Sequence, residues 1–195
     1  FVSGRDPEFI EELCGGGRVP WPDFVIGDVG TTIANMKSRK VTPIAALEEE
    51  IAATWGDLGA RVRAALDGHP GLALQETDFR YRVSYDMDAK AFDHTAVAII
   101  DALGADTLLS DNRFFDVLPR GISKGPSLLR LVDHLGVAQT RVLAAGDTLN
   151  DLSMLVAGTP AVAVGGAEQP LLDALPKAPH IHRARAIGAA GIIEA

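Results

Sequence analysis

The chain has 195 residues, 47% of them hydrophobic, enough to bury a substantial core as one domain with an insert or as two small domains. Its net charge of −8 argues against a nucleic-acid surface. No apolar run is long enough to span a bilayer, the start lacks the charged-then-apolar layout of a signal peptide, and Cys14, the only cysteine, excludes an internal disulfide and fits a reducing, cytoplasmic compartment.

Phe1 and Val2 read as the tail of a strand that starts abruptly, as if an upstream portion were missing. Ser3 and Gly4 then sit at the strand tip, Arg5 follows, and Asp6 and Pro7 open a helix as N-cap and first-turn residue. That helix runs to about Cys14, where Gly15-Gly16-Gly17 ends it and no activating group marks the thiol as a nucleophile. A strand follows over 24–28, an extended strand over 31–34 and a polar crossing over 36–40. From there to about Pro119 the pattern changes character. A long helix carries Ile44, Leu47, Ile51, Trp55 and Leu58, a second helical stretch reaches Leu66, and Asp67-Gly68-His69-Pro70-Gly71 turns the chain. Alternation of Phe79, Tyr81, Val83 and Tyr85 predicts a strand over 79–85, then come a helix over 92–103 and strands over 107–110 and 114–118 around a turn at Asp111-Asn112-Arg113. The remainder alternates: helix 128–135, strand 142–145, helix 151–156, strand 161–164, helix 169–175 and a final helix over 187–193. His180 and His182 alternate on a predicted strand near the sheet edge. The pattern predicts an α/β protein: a Rossmann-like parallel-sheet core from residues 1–36 and 120–195, with an inserted α+β cap over 37–119.

The densest chemistry lies in Gly146-Asp147-Thr148-Leu149-Asn150-Asp151, which puts two carboxylates and an amide where a buried strand turns into a helix. That is where an open α/β sheet places its ligand site. Asp147 falls on the strand's carboxyl end, and Asn150 and Asp151 in the helix's first turn, beside free N–H groups and the positive end of the dipole. A hard cation such as Mg²⁺, which takes few carboxylates plus water and phosphate oxygens, suits that corner. Lys124, in Ile122-Ser123-Lys124-Gly125-Pro126-Ser127, precedes the amphipathic run Leu128, Leu129, Leu131, Val132 and Leu135. A cation at a helix start opposes the macrodipole and makes sense facing an anion. An anionic substrate must be drawn in locally, by Arg5, Lys124 and the metal, against the protein's overall field.

In chain order, Ser3-Gly4-Arg5, Ser123-Lys124-Gly125 and Gly146-Asp147 with Asn150-Asp151 resemble motifs two, three and four of the haloacid dehalogenase superfamily. The segment Pro22-Asp23-Phe24-Val25-Ile26-Gly27-Asp28-Val29-Gly30-Thr31-Thr32-Ile33 resembles the stretch after motif two in its sucrose-phosphatase branch. Similar echoes are Tyr81-Arg82-Val83-Ser84-Tyr85-Asp86-Met87-Asp88 and Phe115-Asp116-Val117-Leu118-Pro119. The resemblance implies Mg²⁺-dependent hydrolysis of a phosphate monoester through an aspartyl-phosphate. Ser3 and the Gly4 amide would hold the phosphoryl oxygens, Lys124 would neutralise that group and the nucleophile, Asp147 would ligate Mg²⁺, Asp151 would support the metal or its waters, and Asn150 would assist Lys124 or the phosphate.

The family's first motif, Asp-x-Asp-x-Thr, normally precedes Ser-Gly-Arg, and this chain is expected to begin too late to contain it. The nearest look-alike, Asp28-Val29-Gly30-Thr31, has glycine at its second carboxylate position and is not assigned the nucleophile. The expected substrate is a sugar phosphate or phosphorylated glycoside, with the cap discriminating through polar residues such as Asp86, Asp88, Asn112 and Arg113. Mannosylglycerate-type, trehalose-phosphate and broad sugar phosphatases are rivals within the class. A catalytically silent phosphosugar-binding domain is the alternative outside it, because synthases of the sucrose-phosphate type carry related appended regions. Neither a nucleic-acid nor a membrane partner is expected, and the oligomeric state is left open.

Overall fold

Asp6 caps the first helix: its carboxylate accepts a hydrogen bond from the Phe9 amide at 2.7 Å, and Pro7 takes the first position of α1 (Pro7–Gly15). In this computed structural model, which describes residues 1–77 and 79–195, the chain divides into two units, Phe1–Ile122 and Ser123–Ala195.

In the first unit, β1 (Phe24–Gly27), β2 (Thr32–Asn35) and β3 (Thr42–Pro43) form a three-stranded antiparallel sheet, and Val2 bridges Ile26 in parallel. The buried face of α1 packs on it through Ile10 and Cys14, which meet Val25, Ala34 and Met36. Cys14 is thus an apolar core residue whose thiol faces the Pro20 carbonyl at 3.5 Å. The chain continues through α2 (Ala45–Trp55) and α3 (Leu58–Ala65) to a second sheet of β4 (Leu72–Leu74), β5 (Val83–Met87), β6 (Ala105–Ser110) and β7 (Phe114–Pro119), with α4 (Thr95–Ala102) between β5 and β6. Its order is β4-β5-β7-β6 and every pairing is antiparallel. One core lies behind it, built around Trp55, Val62, Ile100, Phe115 and Val117.

The second unit begins with α5 (Lys124–His134) and alternates through β8 (Ala144–Gly146), α6 (Leu152–Leu155), β9 (Ala161–Gly165), α7 (Gln169–Ala174), β10 (Ile181–Ile187) and α8 (Ala189–Glu194). The three strands are parallel in the order β10-β9-β8, with the central β9 buried along its whole length. Crossover helices make such a sheet possible, and the continuous apolar run of β9 is what a strand covered on both faces requires.

Several predicted bounds shift for local reasons. The strand expected over 79–85 is β5, which starts at Val83, because the Arg82 guanidinium lies 3.5 Å over the Phe79 ring. Residues three apart on an extended strand face opposite sides, so that contact demands a bend. The helix expected over 92–103 is α4, which starts at Thr95. The Asp93 carboxylate accepts the Thr95 amide at 2.9 Å, an Asx turn that holds 93–94 out of the helix. The final helix starts at Ala189 rather than at 187, since Ile187 still pairs with Gly165 and Gly188, at φ +58, breaks the chain between strand and helix. His180 precedes β10 in a turn, so it does not share a strand face with His182. β3 and β4, two and three residues long, were not anticipated.

Candidate functional site

The strand end and helix start of the second unit converge on one buried ion pair. β8 ends at Gly146, a 3-10 turn over Leu149–Asp151 follows, and α6 continues from it. Lys124 is the first residue of α5, and only 4% of it is exposed. Its ammonium donates to Asp151 Oδ1 at 2.7 Å and to Asn150 Oδ1 at 2.6 Å. Lysine and aspartate are seldom this buried unless paired, and here each neutralises the other. An ammonium carries three N–H donors, so one remains beyond these two.

The other oxygen of Asp151 organises the loop. Oδ2 accepts the backbone amides of Asp147 at 3.1 Å and Thr148 at 3.2 Å. Thr148 is the N-cap of the 3-10 turn and forms a capping box with Asp151. Gly146 has to lack a side chain, because a Cβ there would lie 2.7 Å from Asp151 Oδ2. Gly125 likewise: its Cβ would stand 2.1 Å from the Ser153 carbonyl oxygen, while its amide donates to Ser153 Oγ at 3.2 Å. These two close approaches bring the start of α5 against α6 and so bring Lys124 to Asp151.

Asp147, by contrast, is exposed, and no hydrogen bond among the described residues engages its carboxylate. Its backbone carbonyl accepts the Glu168 amide at 2.8 Å, and Glu168 in turn accepts the Leu149 amide at 3.3 Å, which ties the ends of β8 and β9 together. Thr148 and Glu168 escaped the sequence reading. The Thr-x-x-Asp spacing of a capping box was the signal available for Thr148, whereas nothing local marked Glu168.

The remaining sequence-predicted residues belong to the first unit. The Ser3 hydroxyl accepts the Arg5 amide at 3.0 Å, and the Ser3 amide donates to the Ile26 carbonyl at 2.8 Å, which sets Ser3-Gly4 alongside the carboxyl end of β1. A Cβ on Gly4 would meet nothing within 4 Å, and the exposed Arg5 rests its guanidinium 5.3 Å from the Phe9 ring centre. The look-alike Asp28 is buried: Oδ2 accepts the Thr32 hydroxyl at 2.8 Å, and Oδ1 faces Arg82 at 3.6 Å. Arg82 also faces Asp116 at 3.7 Å, and Asp116 accepts the Ser84 hydroxyl. Burial pushes the Asp28 and Asp116 carboxyls above their ordinary range, against the opposing pull of the Thr32 or Ser84 hydroxyl and of Arg82.

The sequence pattern of the sucrose-6F-phosphate phosphohydrolase family matches residues 1–195. Over 197 residues the chain is 37% identical to the glucosylglycerol-phosphate synthase of Pseudomonas anguilliseptica, covering all of this chain and 25% of that protein. It is 26% identical over 201 residues to the mannosylfructose-phosphate phosphatase of Agrobacterium fabrum, covering 100% of this chain and 79% of that one. The chain therefore spans only a quarter of the first relative's length. Its structure is similar to that of the sucrose-phosphatase from Synechocystis, solved in complex with sucrose and phosphate, at a TM-score of 0.85 and 22% identity over 100% of this chain and 82% of that one. A likeness at that identity shows the fold, an α/β Rossmann-like core with an α+β cap.

Proposed function

The chain belongs to the sucrose-6F-phosphate phosphohydrolase family, and from that premise we propose that it serves the Mg²⁺-dependent hydrolysis of a sugar phosphate or phosphorylated glycoside. The observation that carries the reading is the Lys124–Asn150–Asp151 cluster at the carboxyl end of a parallel sheet. Phosphoryl transfer needs positioning and charge neutralisation more than a special base, and these residues offer both. Lys124 would direct its remaining N–H to a phosphoryl oxygen. Asn150, its Oδ1 occupied by Lys124, would offer its Nδ2 donors to the same group; Ser3 and the Gly4 amide are assigned to phosphoryl oxygens by the motif resemblance alone. Arg5 would attract the anion.

The donor set fits Mg²⁺. The free Asp147 carboxylate is the kind of single anionic ligand a hard cation accepts while it keeps water and phosphate oxygens. Asp151, both of whose oxygens already accept hydrogen bonds, would act from behind, supporting the metal's waters and holding Lys124 and the loop. Bound there, Mg²⁺ would neutralise charge on the phosphoryl oxygens. The nucleophilic aspartate is assigned to no residue of this chain: its carboxylate would attack phosphorus, the sugar oxygen would leave with a proton, and water would then cleave the aspartyl-phosphate to inorganic phosphate. Residues 37–119, read as a cap, would exclude water and select the sugar.

A second reading is favoured by the first relative, a synthase of which this chain covers a quarter: the domain would bind a phosphosugar without turning it over. One assay separates the two. The full-length protein, offered a panel of sugar phosphates with and without Mg²⁺, is expected to release phosphate only with the metal, and Asp147→Asn is expected to lower kcat by at least about 100-fold. Phosphosugar binding without turnover on any member of the panel would favour the silent domain, and turnover unaffected by Asp147→Asn would move the metal elsewhere.

A further inference from the structure

Asn150 is held by two donors at once, and one of them belongs to Thr148, so far described only as the cap of the turn. Thr148 Oγ1 lies 2.8 Å from Asn150 Oδ1 and 3.2 Å from Asp151 Oδ2. A hydroxyl has one proton to donate. The shorter contact takes it, because Asp151 Oδ2 already accepts two backbone amides while Asn150 Oδ1 has one lone pair left beside Lys124. Lysine only donates, so the atom of Asn150 that faces Lys124 has to be oxygen, and Thr148 fills that oxygen's second acceptor site. The amide is then fixed about its terminal torsion, which otherwise is broad and soft. Both Nδ2 protons are turned away from Lys124, and no hydrogen bond among the described residues uses them.

From this we infer that Thr148 is a positioning residue for the phosphoryl site: its hydroxyl locks the Asn150 amide so that the Nδ2 donors and the Lys124 ammonium address one anion together. The inference rests on the reading of Lys124 and Asn150 as phosphate-binding groups. Thr148 itself touches no reacting atom. Its backbone amide donates to Asp151, and its hydroxyl accepts within the capping box while donating its one proton to Asn150, so the hydroxyl serves both the turn and the donor direction.

The test uses the full-length protein and a sugar phosphate it turns over. Thr148→Val keeps the shape and removes the hydroxyl, and it is expected to lower kcat/KM about tenfold, the weight of one hydrogen bond to a critical group, and to weaken inhibition by inorganic phosphate in parallel. Thr148→Ser restores the hydroxyl and is expected within about twofold of the parent. In an Asn150→Ala background, removing the hydroxyl is expected to cost at least about threefold less in kcat/KM than it does in the parent, since the group it orients is gone and only its part in the capping box is left to lose. Equal losses in the two backgrounds, or a serine variant as impaired as the valine one, would overturn the inference. Should Thr148→Val fail to fold, Thr148→Ala compared with Thr148→Ser carries the same contrast. Lys124→Ala run alongside separates the two levels: full activity there means the phosphate site itself is misplaced, whereas loss there with Thr148→Val unaffected removes only the role of Thr148.

Discussion

Asp28, Arg82 and Asp116 set two carboxylates around one guanidinium, and the geometry does not close. Both N···O separations, 3.6 and 3.7 Å, exceed hydrogen-bond reach, and Asp28 Oδ1 and Arg82 Nε are buried without a partner. Asp28 and Val29 also stand at φ 50 and 60, a region that strains a β-branched residue in particular. One carboxylate more than the cation can neutralise is buried, so removing a negative charge should help and removing the positive charge should hurt. Arg82→Met is expected to cost about 3–5 kcal/mol in urea unfolding, whereas Asp28→Asn stays near the parent or gains. The pH dependence has a definite sign. A carboxyl raised in the folded state adds stability that is complete below about pH 4 and is lost as pH rises through the raised native value. Asp28→Asn should therefore gain on the parent as pH goes from 4 to 7, and a widening deficit over that interval would contradict the assignment.

At the level of elements, what the sequence made legible tracks periodicity and caps. The Asp6-Pro7 start, the helical spacing after Lys124 and the apolar run of β9 are local signals that need no distant partner, and each element stands close to where they put it. β3 and β4 are too short to alternate, and they exist because β2 and β5 offer them an edge. The Phe79–Arg82 bend and the buried Asp28–Arg82–Asp116 cluster depend on how side chains meet in space, which no local pattern encodes. In the candidate site, Lys124, Asn150, Asp147 and Asp151 were legible from motif order. The contact that packs α5 on α6 through Gly125 was not, because the space beside a glycine is a property of the fold. That contact is testable: Gly125→Ala is expected to cost about 1–3 kcal/mol in urea unfolding and to weaken inhibition by inorganic phosphate, as the new methyl pushes the start of α5 off the Ser153 carbonyl. An alanine variant as stable as the parent would show that α5 and α6 are free to part.

For the molecule as a whole, a net charge of −8 repels the anionic substrate proposed, so attraction has to be local, and the proposal gives that part to Lys124, a buried cation. Asp28 is the competing focus, a carboxylate that follows an apolar strand in the manner of a nucleophile yet is engaged with Thr32 and Arg82. The most direct measurement compares the two in the full-length protein: Mg²⁺-dependent phosphate release from a sugar phosphate, with Lys124→Ala and Asp28→Asn side by side. Lys124→Ala is expected to fall by at least about 100-fold while Asp28→Asn keeps turnover within about tenfold of the parent. Abolished release in Asp28→Asn with activity surviving in Lys124→Ala would contradict that expectation.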